Sequence, residues 1–403
     1  MEGLKKYTLA ELTIDGKGIY GIGASAIDFD YQKYTYLRIT DIKDDGSLDY
    51  RGLKSVGDKD ANKYLLKKND IVFARTGNST GRSYFYETSD GELVYAGFLI
   101  KFSLDPNKVN PRILKYYTHS KKYYDWIKSF DTGGTRGNIN AQTYANMLIE
   151  LPSRKVQDKV VDILSSLDDK IALNKRINDN LEQQAQALYK SWFVDFKPFK
   201  DGGFIDSELG EIPEGWKILP FVDFLILSNR KTEFDNIPEY SVTNTGIFPR
   251  EEKFNKKLSS STSKNKLINR NDLVFGMSRE ILNWGIMEDD IGGVSSAYTV
   301  YNIDYNIINP IYLKLFIQSR IGRFKDLIRP AAREGQGIDK QRLMSKYIYL
   351  PTSEILNNFW RVYDKLMESK ENFTQETQNL TQVRDSLLPK LMSGELKIND
   401  LHS

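Results

Sequence analysis

The sequence contains no cysteine and only two histidines, His119 and His402, among its 403 residues. The missing cysteines exclude disulfide bonds, zinc sites with cysteine ligands and cysteine nucleophiles, and the scarcity of histidine argues against a histidine-based catalytic triad. No apolar run reaches the roughly 18 to 20 residues of a membrane span, and the N-terminal segment lacks the apolar core of a signal peptide. We therefore expect a cytoplasmic protein with no metal site.

The charge balance is close to neutral, with 57 Lys and Arg against 54 Asp and Glu and a formal net charge of +3. A protein that binds DNA alone usually carries a larger basic excess. If this chain binds nucleic acid, its phosphate contacts must be local or shared with partner subunits. A hydrophobic fraction of 40% over this length is typical of a globular protein with two or three domains.

What the sequence does contain is a tandem repeat with an offset of about 200 residues. Three short segments return in the same order: 69–73 (NDIVF) as 271–275 (NDLVF), 110–111 (NP) as 309–310, and 151–152 (LP) as 350–351. A duplicated unit predicts a molecule with pseudo-two-fold character. Whatever one copy contacts, the other should contact in a related form, which points to a bipartite ligand.

Each repeat divides into an α/β part and a long amphipathic helix. The α/β parts contain short β-rich runs between Gly, Asn and Asp turns, with a helix that begins near Pro111 or Pro310. The predicted fold is α+β, with two mixed α/β domains separated by two long helices. The predicted boundaries are 1–150 and 216–349 for the α/β domains, 151–197 and 350–403 for the long helices with the C-terminal tail, and 198–215 for a linker.

The two long helices repeat mostly apolar residues with an unbroken 4-3-4-3 spacing in the same register. That spacing is typical of a coiled coil, although one such helix alone would more readily be explained by packing against its own domain. Since both copies carry the pattern, we predict that the helices pack against each other, antiparallel if the two domains lie at opposite ends. The predicted coiled-coil seam comprises Val160, Ile163, Leu167, Ile177, Leu181, Leu188, Phe359, Val362, Leu366, Phe373, Leu380 and Leu387.

Polar loops with arginine and asparagine occupy matching positions in the two α/β domains. Loops 75–82 and 132–140 of the first domain correspond to 277–284 and 333–340 of the second. In such loops arginine can read guanine or a phosphate and asparagine can read adenine, whereas a solvated turn is the alternative for any single loop. The predicted DNA-binding residues are Arg75, Thr76, Asn78, Ser79, Arg82, Thr135, Arg136, Asn138, Asn140, Ser278, Arg279, Asn283, Trp284, Arg333, Gln336 and Lys340.

Four segments make the chain similar to a known family. They are 151–153 (LPS), 188–196 (LYKSWFVDF), 210–216 (GEIPEGW) and 387–396 (LLPKLMSGEL), and with the duplication they extend the similarity over essentially the whole chain. In this order and spacing the sequence resembles the specificity subunits of type I restriction-modification enzymes. The resemblance implies two target recognition domains that each read one half of a split double-stranded DNA sequence. It also implies helices that dock two methyltransferase (modification) subunits and, through them, the restriction (motor and nuclease) subunits.

The resemblance further implies that catalysis and cofactors belong to the partners. S-adenosylmethionine would be bound by the methyltransferase subunits, which would methylate adenine, and ATP with Mg by the restriction subunits. This chain would be a non-catalytic subunit without a cofactor of its own. Two alternatives stay open: an architectural coiled-coil scaffold with two protein-binding heads, and a single-chain DNA methyltransferase, although the sequence lacks the methyltransferase motifs in the right order.

Overall fold

The computed structural model describes residues 4–130, 137–232, 237–250, 265–278, 280–328, 337–393 and 395. The chain forms two compact units, which we call the first unit (residues 1–177 and 373–403) and the second unit (residues 178–372). Each unit therefore contains one α/β domain together with parts of both long helices.

The first unit contains a mixed set of short strands and helices. Its strands are β1 (Lys5–Thr8), β2 (Ile19–Tyr20), β3 (Ala26–Ile27), β4 (Thr35–Leu37), β5 (Lys54–Val56), β6 (Asp70–Ala74), β7 (Ser83–Phe85), β8 (Leu93–Tyr95), β9 (Leu99–Ser103) and β10 (Leu148–Leu151). Its short α-helices are α1 (Arg112–Tyr117), α2 (Lys121–Lys128) and α3 (Ala141–Ala145). The long helix α4 (Arg154–Phe193) begins in this unit and ends in the second one.

The second unit repeats this plan. Its strands are β11 (Phe204–Ile205), β12 (Ile212–Pro213), β13 (Lys217–Pro220), β14 (Leu225–Ser228), β15 (Tyr240–Thr243), β16 (Gly246–Pro249), β17 (Lys266–Asn269), β18 (Leu273–Phe275), β19 (Trp284–Ile286), β20 (Ile291–Val294), β21 (Thr299–Ile303) and β22 (Tyr347–Leu350). Its helices are α5 (Pro310–Ser319), α6 (Lys340–Met344) and the first part of the long helix α7 (Ser353–Ser393).

Sheet topology shows that the repeat is structural as well as sequential. The first unit contains an antiparallel sheet of order β2-β9-β6-β7, and the second contains the same arrangement as β14-β21-β18-β19. In each unit the first strand of the domain pairs with the strand that precedes the long helix, β1 with β10 and β13 with β22. The first unit adds a sheet β3-β5-β4-β8, whereas the second has the pairs β15-β16 and β17-β20.

The repeated Asn-Asp motif forms the same turn in both units. Asn69 and Asn271 adopt left-handed backbone conformations, with φ of 72° and 71°, which asparagine tolerates better than most residues. The carboxylate of Asp70 accepts a hydrogen bond from the backbone N–H of Lys67, and that of Asp272 accepts one from Asn269, both at 2.8 Å. The strongest repeat signal in the sequence is therefore a turn that starts a central strand.

The long helices pack antiparallel within each unit. In the first unit Asp168 accepts a hydrogen bond from Arg384, and Asn174 donates one to Glu376. In the second unit the rings of Tyr189 and Phe359 are 6.1 Å apart. Residue numbers rise along α4 while those of the contacted α7 residues fall. The antiparallel pairing and the α+β fold are thus confirmed.

The predicted seam is correct in its period but too narrow. Val160 and Phe359 are buried, and the other predicted seam residues are half-buried, with one exception. That exception is Val362, which is 41% exposed, while the next residue, Tyr363, is 8% exposed. Each helix contacts its own domain as well as its partner helix, so the buried stripe is about two residues wide and includes the position after the seam. The prediction for Val362 is therefore wrong.

Hydrophobic cores join the long helices to the domains. In the first unit Val160 and Leu164 of α4 belong to the same buried cluster as Ile113 and Leu114 of α1. In the second unit a corresponding cluster contains Phe193 of α4, Phe359 of α7 and strand residues such as Tyr349. The part of the chain that the structure describes includes no helix with the length and apolarity required to cross a membrane.

Candidate nucleic-acid interface

The end of strand β6 presents Arg75 at the surface of the first unit. The guanidinium lies over the ring of Tyr20, 5.0 Å from its centroid, and its Nε donates a 3.2 Å hydrogen bond to Oδ1 of Asn138. The backbone joins the same segments, because the N–H of Ile139 donates to the carbonyl of Arg75 at 3.0 Å. The structure thus brings together two loops that the sequence separates by about 60 residues.

Tyr20, which lies two strands away in the same sheet, limits the position of Arg75. The order β2-β9-β6 brings Tyr20 close to the end of β6, and the Tyr20 hydroxyl accepts a 3.1 Å hydrogen bond from the backbone N–H of Ala141. A cation over an aromatic ring is attracted by the electrons of the ring face, which limits the positions that the guanidinium can take. Within the described residues, Nε is the one side-chain nitrogen of Arg75 with a hydrogen-bond partner.

Two other predicted residues of the first unit, Arg82 and Asn140, make hydrogen bonds within the protein. Arg82 donates from Nε to Asp44 at 2.7 Å and from Nη1 to the carbonyl of Ile42 at 3.0 Å. Asn140 caps helix α3, because its side chain accepts the backbone N–H of Thr143 at 2.9 Å. Ser79 is buried, Thr76 is half-buried and Asn78 is exposed. Thr135 and Arg136 lie outside the described residues.

In the second unit, Ser278 and Asn283 close the turn between β18 and β19. The backbone N–H of Asn283 donates to Oγ of Ser278 at 2.8 Å, and its Nδ2 donates to the carbonyl of Met277 at 2.6 Å. Trp284 is 6% exposed, lies opposite Phe275 in the sheet and belongs to the hydrophobic core. The prediction that Trp284 contacts DNA is therefore wrong, because this strand turns the ring inward.

Lys340 is exposed at the first position of α6, while Arg279, Arg333 and Gln336 lie outside the described residues. The cap before it, Asp339, occupies the place of Asn140 in the first unit, and its side chain accepts the backbone N–H of Arg342 at 3.1 Å. Both caps follow a buried isoleucine, Ile139 or Ile338. The two units therefore share the sheet order and the capped helix, α3 or α6, that adjoin these loops. We call these shared elements the frame.

The loop residues beside this shared frame, which we call the tips, differ in chemistry between the two units. Counting from the repeated Asn-Asp turn, Arg75 corresponds to Met277, and counting back from the helix cap, Asn138 corresponds to Gly337. Met277 is 48% exposed and Ile281, in the same turn, is 59% exposed. The donors Arg75 and Asn138 of one unit are thus replaced in the other by residues without a donor side chain, Met277 and Gly337.

The predicted DNA-binding residues do not include Tyr20, Met277 or Ile281, although the last two lie in the predicted loop 277–284. No local pattern could have identified Tyr20, because it precedes Arg75 by about 55 residues and reaches it only through the strand order. The repeat itself carried a usable signal for Met277, since it stands where Arg75 stands in the first copy. An apolar residue in that place does not look like a DNA contact, because charged and amide side chains are the usual readers of base edges.

Comparison with known proteins identifies the family. Residues 21–183 match the type I restriction modification DNA specificity domain. The MjaIX specificity subunit of Methanocaldococcus jannaschii is 30% identical over 310 residues, which cover 72% of this chain and 69% of that protein. The chain belongs to the type I restriction enzyme specificity subunits. The resemblance inferred from the sequence is confirmed, and the role of the chain is that of a DNA sequence-specificity subunit.

A more distant relative and one solved structure are similar to most of this specificity subunit. The HindI specificity subunit of Haemophilus influenzae is 24% identical over 407 residues, covering 83% of this chain and 88% of that protein. The crystal structure of the type I restriction-modification S subunit from M. genitalium superimposes with a TM-score of 0.50 at 15% identity, covering 96% of each chain. That likeness supports the fold of two tandem domains with long helices.

Proposed function

We propose that each α/β domain of this specificity subunit binds one half of a split double-stranded DNA target. The observation that carries the proposal is the combination of a shared frame and different tips. Both domains have the same sheet order and the same capped helix, but Arg75 and Asn138 of one correspond to Met277 and Gly337 of the other. Two domains of one design with different tips suit two half-sites of different sequence.

Arg75, Asn138 and Tyr20 form the candidate contact of the first domain. A guanidinium and an amide are the side-chain groups that most often contact base edges and phosphates. The chain carries a net charge of only +3, so contacts of this kind must be concentrated in a few places or supplemented by partners. In the second domain the corresponding contact would involve the β18–β19 turn with Ser278, Asn283 and Met277, and Lys340.

The long helices are the proposed docking elements for two methyltransferase subunits, with restriction subunits joining through them. In this proposal S-adenosylmethionine is bound by the methyltransferase partners, and ATP with Mg by the restriction partners. This chain itself performs no catalysis and acts in the cytoplasm, where the DNA is. The proposal rests on membership of the family and on the length of the helices, 40 residues in α4 and 41 in α7.

The test is to co-express the chain with the methyltransferase encoded beside it and to sequence the host DNA for methylated adenine. We expect one new split motif that is methylated in both halves. A stable complex that produces no motif would contradict DNA recognition and favour an architectural scaffold. Methylation by the isolated chain with S-adenosylmethionine would contradict the non-catalytic role.

A further inference from the structure

The tip of β6 offers hydrogen-bond donors in a fixed arrangement. The Nε–H of Arg75 can only donate, so the Asn138 atom that faces it at 3.2 Å is the amide oxygen. The oxygen of Asn138 is therefore engaged within the protein, and its Nδ2 group, a pure donor, is the remaining part of the amide. The two terminal nitrogens of the guanidinium are donors as well.

The major-groove edges of the four bases differ in the hydrogen-bond acceptors that they offer to protein donors. Guanine presents two neighbouring acceptors, N7 and O6, whereas adenine presents one acceptor beside a donor, cytosine a donor, and thymine one acceptor beside a methyl group. Only guanine matches two parallel donors of one guanidinium. We propose that the first domain reads a guanine in its half-site through Arg75, with Asn138 as the residue that orients the guanidinium.

This inference rests on the proposed function and adds the identity of a base to it. The geometry supports it because the guanidinium is held before DNA arrives, by the ring of Tyr20 at 5.0 Å and by Asn138. Tyr20 is held in turn by the backbone N–H of Ala141. A side chain that is already ordered loses less conformational entropy on binding and defines direction more sharply.

No guanine contact of this kind is expected at the equivalent position of the second domain, Met277. Met277 and Ile281 are exposed there, and apolar side chains suit the methyl group of thymine rather than the acceptors of guanine. The guanine requirement that depends on Arg75 should therefore occur in one half of the target only. A phosphate is the competing acceptor for Arg75, and it would give affinity without base preference.

The experiment uses the complex of the full chain with its methyltransferase partner and DNA duplexes that carry the motif mapped in the host. The guanine in the half-site is replaced by 7-deazaguanine, which lacks the N7 acceptor but still pairs with cytosine. We expect the replacement to weaken binding by the wild-type complex about tenfold or more. With Arg75→Ala the replacement should cause no further loss, and the mapped motif should accept other bases at that position.

Two further variants separate base reading from folding and from charge. Asn138→Asp keeps an oxygen towards Arg75 but adds a negative charge that pairs with the guanidinium, so the penalty for 7-deazaguanine should shrink. Lys63→Ala removes an exposed positive charge that pairs with Asp60, and the penalty should remain whatever happens to overall affinity.

Each outcome decides between the proposals. If Arg75→Ala lowers methylation evenly and leaves the motif unchanged, or if the affected half-site contains no guanine, the guanine inference is overturned while the proposed function stands. The guanine inference is overturned in the same way if the wild-type complex tolerates 7-deazaguanine. If the wild-type complex yields no split motif at all, the proposed function itself fails. If Arg75→Ala does not fold, Arg75→Gln, which removes the guanidinium but keeps a polar side chain of similar length, takes its place, and a 7-deazaguanine penalty that persists in Arg75→Gln would contradict the inference.

Discussion

At the scale of single residues, Asp168 of α4 contacts both the first domain, through α1, and the other long helix, α7. Its carboxylate accepts a hydrogen bond from the Tyr116 hydroxyl at 3.0 Å, and it lies 3.1 Å from both Lys115 Nζ and Arg384 Nη1. Burial by itself would raise the pKa of Asp168, but Lys115 and Arg384 outweigh it and hold the pKa below its ordinary value. All these residues belong to the first unit.

Asp168→Asn should therefore destabilise the first unit by about 1–3 kcal/mol near pH 7, because two half-buried cations, Lys115 and Arg384, lose a negatively charged partner. A lowered pKa means that the contribution of Asp168 is present above the pKa of the unfolded chain and is lost as the pH falls through the lower folded value. The difference between wild type and variant should shrink below about pH 4. Urea unfolding at several pH values would measure it.

Asp169→Asn provides the matched control for that measurement. Asp169 is the next residue along the helix and is exposed, so the same change of charge should alter stability by less than about 0.5 kcal/mol. Equal effects of the two substitutions, or a difference that persists in acid, would contradict the role given to Asp168.

The sequence could suggest the role of a residue from its side-chain type, but not a role that depends on where the fold places the side chain. Arg75 and Asn138 were predicted as contacts because of their side chains, yet their pairing depends on the backbone hydrogen bond from Ile139 to Arg75, which no local pattern reveals. Trp284 was misassigned because it adjoins a polar turn, while the pleat of β19 places its ring in the core. Asn140 caps α3, a role that was not predicted, because a capping asparagine and a base-reading asparagine look alike in sequence.

At the scale of elements, the long helices show how far a hydrophobic period can be trusted. The spacing correctly predicted two helices, their pairing and their approximate extent, as α4 and α7 confirm. It could not predict the width of the buried stripe, because the sequence does not reveal that each helix also packs against its own domain. The exposed Val362 beside the buried Tyr363 marks that difference.

Phe359 and Val362 differ enough in burial to test this description of α7. Phe359 is fully buried among Tyr189, Phe193 and Trp360, so Phe359→Ala should destabilise the second unit by about 3–5 kcal/mol. Val362→Ala, at a 41% exposed position, should cost about 0.5 kcal/mol or less.

Hydrogen exchange of the α7 amides in the full chain would measure both effects, since two units need not unfold together. Comparable loss of protection in the two variants would support the original prediction, in which Val362 belongs to the seam. Loss confined to Phe359→Ala would establish the wider stripe.

At the scale of the whole molecule, the duplication is the feature that sequence predicted best. The same strand order, the same left-handed asparagine and the same helix cap occur in both units. Duplicated frames with different tips predict modular recognition, in which one domain can be exchanged without changing what the other reads. The structure also indicates where such an exchange should be made.

The exchange should replace residues 1–151 by the corresponding segment of another family member and keep α4. Strand β1 pairs with β10, so both ends of the exchanged segment then lie on one pair of strands that moves as a unit. The incoming helix α1 must also supply apolar residues to the core that contains Val160 and Leu164. We expect the methylated motif of the complex to change in one half and to remain the same in the other.

A shorter exchange that ends at residue 145 is the control, because it would separate β1 from its natural partner strand. That variant should lose stability and methylation together, whatever its loops could read.

A change in both halves of the motif after the full exchange would contradict modular recognition, since the second domain, with Met277 and Lys340 at its tips, is left intact. An unchanged motif would show that residues 1–151 do not select bases at all, and that the first half-site is read elsewhere.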